Sequence, residues 1–162
     1  MIASLDLAKL YERDFVRWTE SQAAELRRAA EAGANLPLDW LRLAEEVEAL
    51  GERDRREHYS RLVRAIEHLL KLQFAPVEQP RRVWEVSVLN QRRDLHQLLR
   101  SSPSLKRTAK AVLAQAHEEA LQLVERSIPD AEQPLWPDLP RTCPFALDQV
   151  LDRPWWPERL GQ

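Results

Sequence analysis

The sequence predicts an all-α fold: a single-domain helical bundle of about five helices, closed by a C-terminal strap rich in proline and tryptophan. Three observations lead there. The 26 leucines outnumber the 16 β-branched residues (Val, Ile and Thr), which favours helix over sheet. Glycine occurs only 3 times in 162 residues while 31% of the chain is charged, a balance that suits solvated helices. Apolar residues also recur at steps of three or four through residues 7–123. The length fits one domain, with residues 1–128 forming the bundle and 129–162 the strap packed on it.

Each element has its own signal. Leu7, Tyr11, Phe15, Trp18, Gln22, Leu26 and Ala29 line one face of a first helix from about Leu5 to Ala32. Gly33 can end it in a left-handed conformation, and Pro37 delays a restart. Asp39 reads as the N-cap of a short second helix with Leu43, Val47 and Leu50 as its inner stripe, and Gly51 as its cap or kink. Running on through Gly51 would carry Asp54 and His58 inward. A break there lets Tyr59, Leu62, Ile66, Leu69 and Leu70 define a third helix ending near Phe74, and the break is the favoured reading. Pro76 and Pro80 bracket the next connection, with Gln79 before Pro80 at a first helical turn. Trp84, Val88, Gln91, Leu95 and Leu98 stripe a fourth helix ending near Arg100. Ser102 and Pro103 form an N-cap and N1 pair for a fifth helix, which Leu105, Ala109, Val112, Ala116, Ala120 and Leu123 carry to Ser127. Beyond Ile128 helical periodicity stops: 7 of the 11 prolines and 3 of the 6 tryptophans lie between Pro129 and Pro157. Such aromatic content argues against disorder. It predicts an extended strap anchored by Trp136, Phe145 and Trp156, with one short helix near Phe145 to Leu151.

Charge and composition narrow the function classes. The net charge of −2 provides no global polycation for nucleic acid or an anionic membrane. No apolar run reaches the roughly 18 residues of a membrane span, and the amino end lacks a signal-peptide core, so a cytoplasmic location without membrane association is expected. The lone Cys143 forbids an internal disulfide and any multi-cysteine zinc site.

Several motifs, taken together, resemble a known family. They are Tyr11, Asp14, Phe15, Trp18 and Gln22; Leu38, Asp39, Trp40 and Leu43 to Gly51; and His68, Leu69, Leu70 and Lys71. Trp84, Gln91 and Arg92 follow, then Ser102 to Leu105, and finally Cys143, Pro144, Trp156 and Pro157. Their order and spacing over roughly Leu10 to Pro157 resemble the domain of unknown function 29 family, a bacterial family abundant in cyanobacteria. The resemblance implies an all-helical fold and no established activity. This chain departs from the pattern at His117 and Phe74, where relatives commonly carry Tyr, and Glu125-Arg126-Ser127-Ile128 keeps only part of a Glu-Thr-Gly-Leu pattern.

One polar constellation stands out: Asp14, Gln22, Glu45, Glu46, Glu48, His68, Gln91 and Arg92. If these faces converged, Glu45 and Glu48 would be ligands for Mg²⁺ or Mn²⁺, Arg92 would neutralise developing charge, and His68 would serve as acid or base. That is the pattern of a metal-dependent hydrolase of a phosphorylated small molecule or nucleotide. The competing reading is structural. Asp14 with Arg92, or Glu46 with His68, would fix helix register, and the glutamates would form a solvated face early in a helix. Neither a second acidic pair, of the form Glu-x-x-Asp, nor a Glu-x-x-His motif is present, so the balance leans against catalysis and against any cofactor. Residues 81–110 hold eight basic side chains against two acidic ones, a weaker alternative as a phosphate-contacting hairpin. No known nucleic-acid module accompanies it. The favoured expectation is a bundle that acts by binding, as a homo-oligomer or with a protein partner.

Overall fold

The computed structural model describes residues 4–76 and 80–160. Among these are six α-helices and no strand: α1 (Ser4–Arg13), α2 (Phe15–Glu31), α3 (Trp40–Phe74), α4 (Arg81–Ser101), α5 (Leu105–Ser127) and α6 (Leu147–Leu151). One 3-10 turn, Gln133–Leu135, precedes α6. The all-helical class is as the sequence predicts. The chain gathers into two compact units, one comprising Met1–His58 with Leu98–Arg107 and the other Tyr59–Gln97 with Thr108–Gln162.

In the first unit the expected single N-terminal helix is two. Asp14 adopts an extended backbone (φ −159°, ψ 94°) and its carboxylate caps α2 at Arg17 N, 3.0 Å away. The cause is chemical: a short acid competes for main-chain amides better than it sustains a helix. The buried face of α2 is Val16, Thr19 and Ala23, one position away from the predicted stripe, while Phe15 and Trp18 are half-buried and Tyr11 is exposed. These three aromatics still pack on one another, Tyr11 meeting Trp18 edge-on at 4.9 Å and Phe15 lying stacked 5.8 Å from Trp18. After α2 the amide of Gly33 (φ +65°) reaches Ala30 O and that of Ala34 reaches Ala29 O, the paired bonds of a Schellman cap.

The expected break at Gly51 does not occur: α3 runs continuously for 35 residues. Asp39 caps it as predicted, accepting from Arg42 N at 3.0 Å. Gly51 is there for close approach, since a Cβ would lie 2.2 Å from Thr19 Oγ1. The inner face of this stretch is therefore Ala44, Gly51 and His58, whereas Leu43 and Leu50 remain exposed and Val47 half-exposed. Small side chains draw α2 and α3 together, and the larger leucines are turned aside.

The second unit holds the larger core. Leu62, Ile66, Leu69 and Leu70 of α3 are wholly buried, as are Val88 and Leu95 of α4 and Ala116, Ala120 and Val124 of α5. Helix α4 follows Pro80, and α5 ends at Ser127 as predicted but starts at Leu105, two residues beyond the expected first position Pro103; the expected position of Gln79 lies outside the described residues. The strap contributes buried Phe145, Leu147, Val150 and Leu151, and its short helix lies where expected. Phe145 packs edge-on against half-buried Trp155 at 5.7 Å, and Trp136 is half-buried. Trp156, expected as an anchor, is 37% exposed. Polar bonds tie the end of the strap to the last turn of α3 and the connection after it, with Leu160 N reaching Gln73 O and Arg159 reaching Pro76 O.

Candidate functional site

Two polar clasps emerge, one within each unit. The first is centred on Asp14, which is 7% exposed. Besides Arg17 N, its Oδ1 accepts from Ser104 Oγ at 2.9 Å, and its Oδ2 accepts from Ser104 N at 2.8 Å. Ser102 Oγ in turn accepts from Val16 N at 3.1 Å. Ser102, expected to cap its own helix, thus satisfies an amide of α2, and Asp14 satisfies the chain entering α5. Helix amino termini carry unpaired amides and partial positive charge, so one carboxylate between two of them is favourably placed on both counts.

The second clasp is centred on Arg92 of α4, which is fully buried. Its Nε donates to Val150 O at 2.9 Å, Nη2 to Gln149 O at 3.0 Å and Nη1 to Arg153 O at 3.3 Å. One turn on, His96 Nε2 lies 2.9 Å from Leu151 O. These carbonyls belong to the carboxyl end of α6 and the residues just after it, where acceptors are otherwise unpaired and the helix dipole is negative. The Trp156 ring lies over the guanidinium with its centroid 5.0 Å from Cζ, a cation–π contact. Burial lowers the Arg92 pKa and the nearby Asp152 carboxylate opposes that shift.

The remaining constellation members are dispersed. Glu45 and Glu46 are exposed, and Glu45 pairs with Arg42 at 3.1 Å. Glu48 pairs with Arg27 at 2.5 Å, so each metal candidate already has a cationic partner. Among the described residues no three His, Cys, Asp or Glu side chains form a metal-sized group. Gln22 is half-buried on α2. Gln91 Oε1 accepts a long 3.4 Å bond from Arg61, which also pairs with Asp94 at 2.7 Å. His68 is half-buried beside Glu67, which is itself buried and held by Lys71 at 2.8 Å and Arg64 at 3.1 Å. Burial lowers the His68 pKa, partly offset by Glu67. Of the eight basic side chains in residues 81–110, Arg92 is buried and half-buried Arg81 donates to Leu72 O, whereas Arg82, Arg93, Arg100, Lys106, Arg107 and Lys110 are exposed, with Arg93 paired to Asp94.

His58, His117, Tyr59 and Cys143 lie outside the constellation read from the sequence. His58 and His117 are buried, each with Nε2 lacking a hydrogen-bond partner among the described residues, and burial pushes the His58 pKa down to about 4 and lowers that of His117. Only the rejected continuation of α3 through Gly51 would have turned His58 inward. Tyr59 donates to Glu119 at 2.9 Å, and burial together with that carboxylate raises its pKa to about 12. Cys143 is half-buried, its thiol donating to Phe145 O at 3.3 Å; burial raises its pKa, which suits packing and not nucleophilicity.

The fold and its clasps define a small all-helical protein in which buried Asp14 and Arg92 engage main-chain groups at helix ends. The sequence profile of the family described as Domain of unknown function DUF29 matches residues 10–156, and the chain belongs to that family. Among solved structures, an α-helical protein of unknown function from Rhodospirillum rubrum is similar in fold, with a TM-score of 0.70 and 23% identity over 88% of this chain and 89% of that one. No curated protein matches. Among the described residues no helix is long and apolar enough to cross a membrane.

Proposed function

We propose that this chain acts by association, as a homo-oligomeric interaction module of the bacterial cytoplasm. One observation carries the reading: Leu36, Leu38, Leu41, Leu43 and Leu50 are all exposed within a single stretch of the first unit. Isolated surface leucines are ordinary, but a concentrated set is the usual mark of a protein contact. The polar groups favour the same reading. Arg92 and Asp14 already engage internal acceptors and donors, so neither offers a substrate a free charge. A free, half-buried Cys143 suits a reducing compartment. Sedimentation velocity over a concentration series tests the proposal. The sedimentation coefficient is expected to rise from that of one chain to that of a defined multiple, and a single-chain species at every concentration refutes it.

A further inference from the structure

On α3, each residue advances by about 100° around the axis, so Leu43, Val47 and Leu50 occupy roughly 60° of arc beside the packed face of Ala44, Gly51 and His58. They have the spacing of a core stripe, yet Leu43 is 39% and Leu50 42% exposed. The adjoining arc, again about 60° wide, carries Arg42, Glu46, Arg53 and Glu57, all exposed. In chain order their signs run plus, minus, plus, minus, at spacings of four, seven and four. Such a row is complementary to its own reverse.

We propose, resting on the association reading above, that a second copy of this chain covers the stripe through an antiparallel α3–α3 contact, with the two-fold axis crossing between Ala49 and Leu50. This register places Glu46 opposite Arg53 of the second copy and Arg42 opposite its Glu57, and the axis repeats both pairs. It also orders the apolar side chains along the seam, Leu43 and Val47 of one copy, the two Leu50 residues beside the axis, then Val47 and Leu43 of the other, with half-buried Asp54 of each copy on the same arc between Val47 and Leu43 of its partner. A parallel pairing would set each charge against its like. The leucines provide burial and the flanking charges select direction and register, the division of labour seen where helices pair specifically. Arg42 already bonds Glu45 along its own helix, an exposed pair whose exchange for an intermolecular one costs little.

The test is sedimentation velocity of the full chain at low salt, from micromolar to near-millimolar concentration, with circular dichroism confirming that each variant is folded. Glu46→Arg alone and Arg53→Glu alone each set like charges together twice across the axis. Each is expected to weaken self-association roughly tenfold. The double exchange Glu46→Arg with Arg53→Glu restores opposite signs and is expected to return it to within about twofold of the wild type. Leu50→Glu is expected to abolish association with the helical signal unchanged. If the wild type associates and neither Leu50→Glu nor the single reversals affect it, the α3 surface is refuted while the association reading stands. Single reversals that weaken association without recovery in the double exchange refute the antiparallel register. A wild type that stays a single chain throughout overturns both readings.

Discussion

Replacing Arg92 by methionine keeps an unbranched stem in the core and removes the guanidinium. Two of the three carbonyl contacts, at 2.9 and 3.0 Å, are at full hydrogen-bonding distance and the third, at 3.3 Å, is long. Bonds from a charged donor contribute about 1.5–3 kcal/mol each, so the two good ones amount to roughly 3–6 kcal/mol. Part returns because methionine needs no desolvation, and part is retained where water reaches the freed carbonyls. The expected loss is about 3–5 kcal/mol, a large share of the roughly 5–15 kcal/mol that holds a domain of this size together. Arg92→Lys should lose about half as much, since one ammonium cannot span the fork that the guanidinium fills. Urea denaturation followed by far-UV circular dichroism and tryptophan fluorescence measures both. Limited proteolysis adds a local readout: cleavage between Pro140 and Pro157 should accelerate first in Arg92→Met, because the strap loses the contact that holds α6. An unfolding free energy for Arg92→Met within about 0.5 kcal/mol of the wild type, at an unchanged slope, would refute the clasp.

Three further predictions concern the first unit. Gly51→Ala gains about 1 kcal/mol of helix propensity but overpacks against Thr19 at a cost of about 1–3 kcal/mol; it should be less stable than wild type in urea, and Thr19→Ala should recover the loss in the double variant. A Gly51→Ala chain more stable than wild type by the full propensity gain would show that α2 and α3 are not in close contact there. Asp14→Asn keeps one acceptor oxygen and turns an amide donor toward Ser104, so about 1–3 kcal/mol should be lost, against a smaller loss for Ser104→Ala; equal denaturation midpoints for Asp14→Asn and wild type would rule out the carboxylate as the cap. Burial holds the His58 pKa at about 4 in the folded chain against 6.5 when unfolded, so the unfolded state takes up the proton first. Stability from keeping it neutral is complete above pH 6.5 and is lost as pH falls toward 4, by about 3 kcal/mol in all. His58→Gln should flatten that part of the pH dependence, and superimposable curves for the two proteins would contradict the assignment.

Local chemistry made most of the helices legible in advance. The caps at Gly33 and Asp39, the carboxyl end of α5 and the short helix ending at Leu151 all depend on backbone conformations and amide bonds within a few residues, which side-chain type at one position controls directly. The all-helical class follows from the same local preferences added over the chain.

What the tertiary structure alone decided are the places where one residue type supports two outcomes. Glycine at position 51 can end a helix or let a neighbour approach; the side chain of Thr19, 32 positions earlier, selects the second, and with it the inward face of α3 and the burial of His58. Asp14 fits a helical stripe by spacing, but amides on Arg17 and Ser104 compete for its carboxylate and interrupt the helix. Arg92 was readable as unusual, not as a cap, because its partners are carbonyls and every residue carries one. The sequence by itself determined which segments become helices and which side chains are able to clasp them. Which face each helix buries was decided by packing, because small residues permit close contact only where another helix is there to meet them, and periodicity counts apolar positions without regard to their size.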